Sequence, residues 1–221
     1  MQLAGFSAPF LSLFLSLGFN NASLTSIDTV RAIDTLDIFG DESFCLAGQL
    51  GAGLGPVFAE LGAHLGTNGT MSYYDSSAAQ RVYVGTGSDA GAYAEMGLHA
   101  GLIRPMAGEI AAFVRAGHIS VQQELDFDTC AYDERYSTAY TQLGVRLRLP
   151  FGGISYAHPA FGSGMSSFSA FVGVPINAQA QLSSQTTATA TVGAYYEQSV
   201  GPETNTGSLG CLIGGFGFGG K

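Results

Sequence analysis

The chain has 221 residues, 46% of them hydrophobic and 11% charged, with 32 glycines and a formal net charge of −9. Eight Lys and Arg residues against seventeen Asp and Glu residues exclude the basic patch of a nucleic-acid-binding protein. The apolar fraction excludes ordinary disorder, and the charged fraction is less than half of the roughly 25% usual in soluble domains. We expect one domain over residues 1–221, because this length can build one closed barrel or core.

Apolar residues alternate with small or polar residues from the N-terminus onwards, with the period of two that is typical of β-strands. The first run covers 8–19, where alternate positions from Leu11 to Phe19 form one apolar face. We interpret this run as the first strand of a mature chain rather than a secretion signal, because it has no positively charged start and no clear cleavage site. No apolar stretch is long enough to predict a transmembrane helix.

The alternation recurs along the chain and predicts ten to twelve antiparallel strands, with twelve favoured. Ten strands is the alternative, because 24–38 also fits a short helix capped by Ser26 and 70–85 is interrupted by the sequence SSAAQ. The twelve predicted strands lie near residues 8–19, 24–38, 43–54, 57–66, 70–85, 91–103, 108–125, 135–149, 152–159, 166–180, 186–198 and 207–218.

In each run one face carries no charge, while the other mixes glycine, aromatic and charged residues. A soluble β-sandwich would bury the apolar face and show water a face rich in Lys, Glu and Thr. A transmembrane β-barrel turns the apolar face to lipid and the other face to its lumen. The second face here is rich in glycine and nearly free of Lys, which favours the barrel, because each large residue in a narrow lumen needs a small neighbour.

Turn signals between the runs predict tight turns at one end of the barrel and longer loops at the other. The candidate tight turns are GDES, TNG, RPMAGE, PFGG and SSQ, and the candidate longer loops are FNNAS, TGSDAG, DFDTCAYDER, HPAFGSGM and GPETNTG. Gly55 and Pro56 are the exception, because the predicted order makes them a very tight turn at the end with the long loops.

On this strand pattern the whole chain resembles the bacterial outer-membrane β-barrel proteins as a class. The resemblance implies a Gram-negative outer-membrane location, contact with lipid and lipopolysaccharide, and a structural or narrow-pore, porin-like role for small solutes. It names no specific family, solute or oligomeric state. The chain ends in GGFGFGGK, whereas proteins of this class usually end in an aromatic residue.

Two similar segments carry ionisable residues on the predicted lumen face. AELGAHLG at 59–66 resembles AEMGLHAG at 94–101, and each has a Glu and a His four residues apart. Such a pair lies about 13 Å apart along a strand, so it cannot share a metal ion or a proton. The predicted lumen residues are Glu60, His64, Glu95, His99, Arg115, Arg146 and Arg148.

These residues admit two interpretations. One is a conducting or ligand-binding lumen lined by acids and imidazoles. The other is a structural network in which the three arginines neutralise Glu60 and Glu95 inside a plugged barrel. Because buried charges need partners, the structural network is favoured.

The sequence GHIS places His118 two residues before Ser120 and resembles the His-x-Ser motif of outer-membrane lipid A deacylases. The resemblance implies an acyl esterase with His118 as base and Ser120 as nucleophile. That motif continues with Asn, where this chain has Val121. We favour a protein without enzymatic activity and keep this esterase and a soluble β-sandwich assembly protein as alternatives. The acidic partner of the esterase would be Glu124, Asp133 or Glu134.

Cys45, Cys130 and Cys211 are an odd number without zinc-ligand spacing. Three unpaired thiols is the expectation, and one disulfide with a leftover thiol is the alternative. We also expect no metal site and no cofactor.

Overall fold

A computed structural model describes residues 10–24, 43–75, 80–101, 109–127, 130–149, 152–183 and 186–219. No helix that could cross a membrane occurs in these ranges. The described residues form ten strands. They are β1 (Phe10–Leu24), β2 (Phe44–Leu54), β3 (Val57–Asp75), β4 (Gln80–Gly101), β5 (Glu109–Phe127), β6 (Cys130–Leu149), β7 (Gly152–Pro159), β8 (Ser166–Ser183), β9 (Thr186–Val200) and β10 (Thr204–Gly219).

The ten strands form one closed antiparallel sheet, because β1 pairs with β10 as well as with β2. Following the register once around the barrel from Phe218 of β10 leads back to the same strand at Thr206, twelve residues away. A stagger of this size tilts the strands by about 40° from the barrel axis. The lumen is then only slightly wider than that of eight-stranded barrels, which side chains fill.

The prediction of twelve strands is wrong, because the ten described strands already close the sheet. Residues 57–75 are one strand, and the interruption expected within 70–85 is the connection between β3 and β4. TNG and TGSDAG lie inside these strands. Their polar composition is typical of a turn. They nevertheless belong to strands, in the part of β3 and of β4 that extends beyond the outward apolar residues. Apart from Leu24 at its start, the predicted segment 24–38 lies outside the described residues.

The turn at Gly55 and Pro56 lies at the end of the barrel where β1 begins and β10 ends, which we call the terminal end. β4 and β6 also end there, and β5 and β7 begin there. The expectation that Gly55 and Pro56 belong with the long loops is wrong, because it followed from counting two strands too many.

The predicted apolar faces point outwards. Leu61 and Met96 are 61% and 66% exposed, whereas Glu60 and Glu95 beside them in sequence are 4% and 3% exposed. A sandwich would bury the apolar faces between two sheets. The chain forms a single closed sheet with its leucines outside, so the sandwich alternative is wrong.

The outward apolar residues form a continuous belt around the barrel. On β3 the belt runs from Val57 to Leu65, which corresponds to about 20 Å along the barrel axis at a tilt of about 40°. Transmembrane β-barrels expose an apolar band of about 25 Å. Residues of this apolar belt include Leu13, Leu15, Leu17, Leu50, Leu61, Met96, Leu98, Ile110, Val114, Leu143, Val145, Ile154, Val172, Val174, Val192 and Ile213.

Inward glycines make room for aromatic rings on neighbouring strands. A Cβ atom at Gly144 would overlap the ring of Phe113, and one at Gly62 would overlap the ring of Tyr93. Glycine and aromatic residues therefore alternate from strand to strand across β3, β4, β5 and β6. Two rows of register partners show this alternation, Phe58–Gly97–Phe113–Gly144 and Gly62–Tyr93–Gly117–Tyr140.

Replacing Gly144 by Ala should lower the thermal unfolding midpoint of the folded barrel, with a loss of about 1–3 kcal/mol from overpacking. The Phe113 ring has little freedom to move, because the guanidinium carbons of Arg115 and Arg146 lie 5.3 Å and 5.2 Å from its centroid. Gly207→Ala is the matched control, since a Cβ atom there would meet only ordinary contact, at 3.6 Å from the carbonyl oxygen of Glu197. Equal midpoints for the two variants would contradict the steric role of Gly144.

Candidate functional site in the barrel lumen

A row of charged residues lies between the two glycine–aromatic rows. Glu60 of β3, Glu95 of β4 and Arg115 of β5 are register partners, and Gln142 of β6 continues the row. All four side chains are buried inside the barrel. Two directly opposed glutamates repel each other, so this row needs additional cations.

Arg146 supplies a second cation to both glutamates. Its Nη2 donates to Glu95 Oε1 at 2.6 Å, and its Nη1 donates to Glu60 Oε2 at 3.2 Å. Arg115 approaches Glu95 Oε2 with Nε at 3.0 Å and Nη2 at 2.8 Å. The hydroxyl of Tyr93 donates to Glu60 Oε1 at 3.0 Å. Each buried carboxylate thus accepts charged hydrogen bonds, which is what its burial requires.

The network continues towards the terminal end through Arg148. Its Nη2 lies 3.7 Å from Glu60 Oε2, and its Nη1 lies 3.6 Å from Glu109 Oε1. His99 joins the same carboxylate to the β2–β3 turn, with Nδ1 3.3 Å from Glu109 Oε2 and Nε2 2.8 Å from the carbonyl oxygen of Gly55. We call the three acids and three arginines the charge network. It consists of Glu60, Glu95, Glu109, Arg115, Arg146 and Arg148.

Aromatic rings enclose the two central guanidinium groups. The guanidinium carbon of Arg115 lies 4.2 Å from the centroid of the Tyr93 ring, and that of Arg146 lies 5.7 Å from the centroid of the Phe58 ring. Both also lie close to Phe113. Cation–π contacts of this kind stabilise a cation that has lost its water shell, so the rings favour the buried position of the arginines.

Polar side chains connect the charge network to β8. Arg115 Nη1 donates to Ser167 Oγ at 3.5 Å, and that hydroxyl donates to Gln142 Oε1 at 3.2 Å. The amide of Gln142 then donates to the carbonyl oxygen of Met165 at 2.7 Å. The network therefore reaches from the β3–β6 wall to the β7–β8 connection.

His64 lies apart from the charge network, although it was predicted to share the lumen face with Glu60. Its Nε2 lies 2.9 Å from Asp89 Oδ2. These two residues, together with Cys45 and Glu197, line a cavity of about 30 Å³ farther from the terminal end. Cys45 and Cys211 are free thiols, while the side chain of Cys130 lies outside the described residues.

A second cavity, of about 50 Å³, lies beside the charge network. Its wall includes Arg115, Arg146 and Arg148 together with Ser16, Ser155 and Ser169 of β1, β7 and β8. Tyr195 and Leu212, which also line it, pack against Phe171. The lumen thus holds a small space next to its ion pairs.

His118 and Ser120 lie on the outward face of β5, where the apolar belt gives way to polar residues. The hydroxyl that contacts His118 Nε2, at 2.9 Å, belongs to Ser137 of β6. The carboxylate of Glu124 accepts a hydrogen bond from Gln122. These contacts do not assemble the predicted His118–Ser120 pair with an acidic partner in the described part of the chain.

The lumen residues missed among the candidates include Tyr93, Glu109 and Asp89. The alternation held a signal for two of them, because Tyr93 shares its strand face with Glu95, and Glu109 shares its face with Arg115. Asp89 gave no such signal, since the sequence TGSDAG around it resembles a turn.

No known protein-family model and no curated protein sequence matches this chain. Solved structures of bacterial outer-membrane β-barrels resemble it at low sequence identity. The attachment invasion locus protein Ail of Yersinia pestis, crystallised with sucrose octasulfate, has 11% identity, a TM-score of 0.38, and coverage of 96% of this chain and 100% of that one. The β domain of the Bordetella autotransporter BrkA has 11% identity, a TM-score of 0.46, and coverage of 96% and 99%. The N-terminal barrel of Pseudomonas aeruginosa OprF has 12% identity, a TM-score of 0.26, and coverage of 96% of this chain and 99% of that one.

Replacing Arg146 by Met should destabilise the barrel by about 3–5 kcal/mol, because Glu60 and Glu95 would lose a buried cation. Arg135→Met is the matched control, since Arg135 is 69% exposed and its Nε lies 3.8 Å from Oδ1 of Asp133, which is 59% exposed; its loss should change stability by about 0.5 kcal/mol or less. Adding Glu95→Gln to Arg146→Met should restore part of the loss. Denaturant unfolding of the folded barrels in detergent measures all three effects. A double variant no more stable than Arg146→Met would show that the cost is not unpaired charge.

Proposed function

We propose that the protein is a β-barrel of the bacterial outer membrane with a structural role, and that the charge network occludes its lumen. The observation that carries this proposal is the inside-out distribution of polarity. Leucine and valine side chains face outwards around the barrel, while Glu60, Glu95, Arg115 and Arg146 are buried inside it.

The apolar belt supports the membrane location. A water-soluble protein seldom exposes a contiguous apolar surface of more than a few hundred Å², whereas this belt surrounds the whole barrel. A closed barrel pairs every backbone group within the sheet, which is what the hydrocarbon region demands. The strand stagger of twelve residues gives a tilt in the range of about 35–45° found in outer-membrane barrels.

The filled lumen supports a structural role over an open pore. Arg146 extends from β6 to carboxylates on β3 and β4, so its side chain crosses part of the lumen. The Phe58 and Phe113 rings lie on the terminal-end side of the charged row, and the Tyr93 and Tyr140 rings lie on the other. Large solutes would have to displace both the ion pairs and the rings to pass.

A narrow pore for water-sized solutes is the second candidate function. Two cavities favour it, the one of about 50 Å³ beside the charge network and the smaller one at His64. The two cavities are neighbours in the lumen, because Ala47 lines both. Water and small ions are the only solutes that such spaces admit.

The membrane proposal predicts heat-modifiable migration of the detergent-extracted protein. A closed barrel with paired edges should resist SDS until it is boiled, so unboiled and boiled samples should migrate differently on a gel. The protein should also fractionate with outer membranes. Recovery in the aqueous fraction without a mobility shift would overturn the membrane location.

The occluded lumen predicts that the protein produces no porin-sized conductance steps in planar bilayers. The variant Glu95→Ala/Arg146→Ala removes one charge of each sign and two long side chains, so it should raise the conductance. Leu143→Ala, on the outward face of the same strand as Arg146, is the control and should stay silent. Each protein is first shown to be folded by its heat-modifiable migration. Large, steady steps from the unmodified protein would contradict the structural role and favour an open pore.

A further inference from the structure

The cavity of about 50 Å³ beside the charge network has an unusual wall. Three arginines, Arg115, Arg146 and Arg148, contribute to it, together with the hydroxyl groups of Ser16 and Ser155. No Asp or Glu is among the described residues that line it. A space of this size holds about three or four water-sized species, which need polar partners.

The arginines have hydrogen-bonding capacity beyond their ion pairs. A guanidinium group has five N–H donors and no acceptor. The described hydrogen bonds and ion pairs use three donors of Arg115 and three of Arg146. Both residues therefore hold further donors that can serve a species in the cavity.

The serines of β7 and β8 add further donors beside Arg146, because Ser155 is the register partner of Arg146. Ser155 Oγ and Ser169 Oγ lie 2.7 Å apart across the β7–β8 pair. One hydroxyl donates to the other, and the accepting hydroxyl keeps its own hydrogen for a further acceptor. Guanidinium and hydroxyl donors around one small space match an acceptor-only species.

The carboxylates of the charge network belong to β3, β4 and β5, and none of them is among the described residues that line the cavity. Glu197 lines the separate cavity with His64 and Asp89, and its carboxylate accepts a hydrogen bond from Tyr195, which lines the larger one. The charge network has as many carboxylates as guanidinium groups, and charges inside a protein are screened much less than in water. The preference for an anion therefore comes from the groups that line the cavity, which are guanidinium and hydroxyl groups without a described carboxylate.

We propose that this cavity binds a small inorganic anion of chloride size, held by N–H groups of the lumen arginines and by the Ser155–Ser169 hydroxyl pair. The bound anion gives the arginines acceptors in addition to their glutamates. Because it binds only the folded barrel, it stabilises the fold. This proposal concerns an occupant of the lumen and does not depend on whether the barrel conducts.

The test is the thermal unfolding of the folded protein in non-ionic detergent, followed by tyrosine fluorescence. The protein is compared in sodium chloride, sodium bromide and sodium gluconate at equal ionic strength, because gluconate is too large for the cavity. Chloride and bromide should raise the midpoint by about 3–6 °C, the shift that a ligand present at roughly ten times its Kd would produce. The variant Ser155→Val, which removes a hydroxyl and fills part of the cavity, should abolish the difference.

The matched control is Ser199→Val, because Ser199 lines the smaller, acidic cavity instead. This variant should keep the anion effect. Equal midpoints in chloride and gluconate would overturn the proposal, and so would an anion effect that persists in Ser155→Val.

If Ser155→Val does not fold, crystals of the unmodified protein soaked in bromide provide the test. An anomalous peak within hydrogen-bonding distance of Arg115 or Arg146 supports the site, and water alone in the cavity overturns it.

Discussion

Two glutamates, Glu60 and Glu95, face each other as register partners inside the barrel, and much of the lumen accommodates this pair. Like charges at this spacing, away from bulk water, would oppose closure of the β3–β4 hairpin. Arg115 of β5 and Arg146 of β6 stabilise the arrangement, because they supply two cations from the two strands that follow β4. The pairing of strands β3 to β6 and the neutralisation of their buried charges therefore depend on each other. Removing either cation affects the pairing of four strands rather than one surface contact.

The glycines follow from the same constraint. Long arginine side chains and aromatic rings cannot occupy adjacent inward positions on neighbouring strands of a narrow barrel. Phe113 has Gly97 on one side and Gly144 on the other, while Tyr93 has Gly62 and Gly117. The two rows are out of phase, so rings from alternate strands cover the charged row from both ends of the barrel. The inward glycines that face rings, Gly62, Gly97, Gly117 and Gly144, are thus a packing requirement of this lumen.

The alternation in the sequence was sufficient to predict an inside-out barrel and to place Glu60, Glu95, Arg115, Arg146 and Arg148 on one face of their strands. It could not predict the strand number, because β3 and β4 become polar where they pass beyond the apolar belt and there resemble turns. It also could not tell that His64 pairs with Asp89, while His99 joins Glu109. Those pairings depend on the register of β3, β4 and β5, and a period of two does not encode register.

Register must instead come from the lumen side chains. A slip of one residue would turn the leucines inwards and is excluded by the apolar belt, but a slip of two keeps every face correct. Shifting β4 by two residues against β5 could place Glu95 opposite Phe113 and Arg115 opposite Tyr93. The glutamate would then face a ring in place of its cation, and Gly97 would no longer lie opposite Phe113. The charge network and the glycine–aromatic rows thus select one register among those that the apolar belt permits. In a barrel whose large apolar residues mostly face outwards, buried ion pairs add to the specificity that core packing provides in soluble proteins.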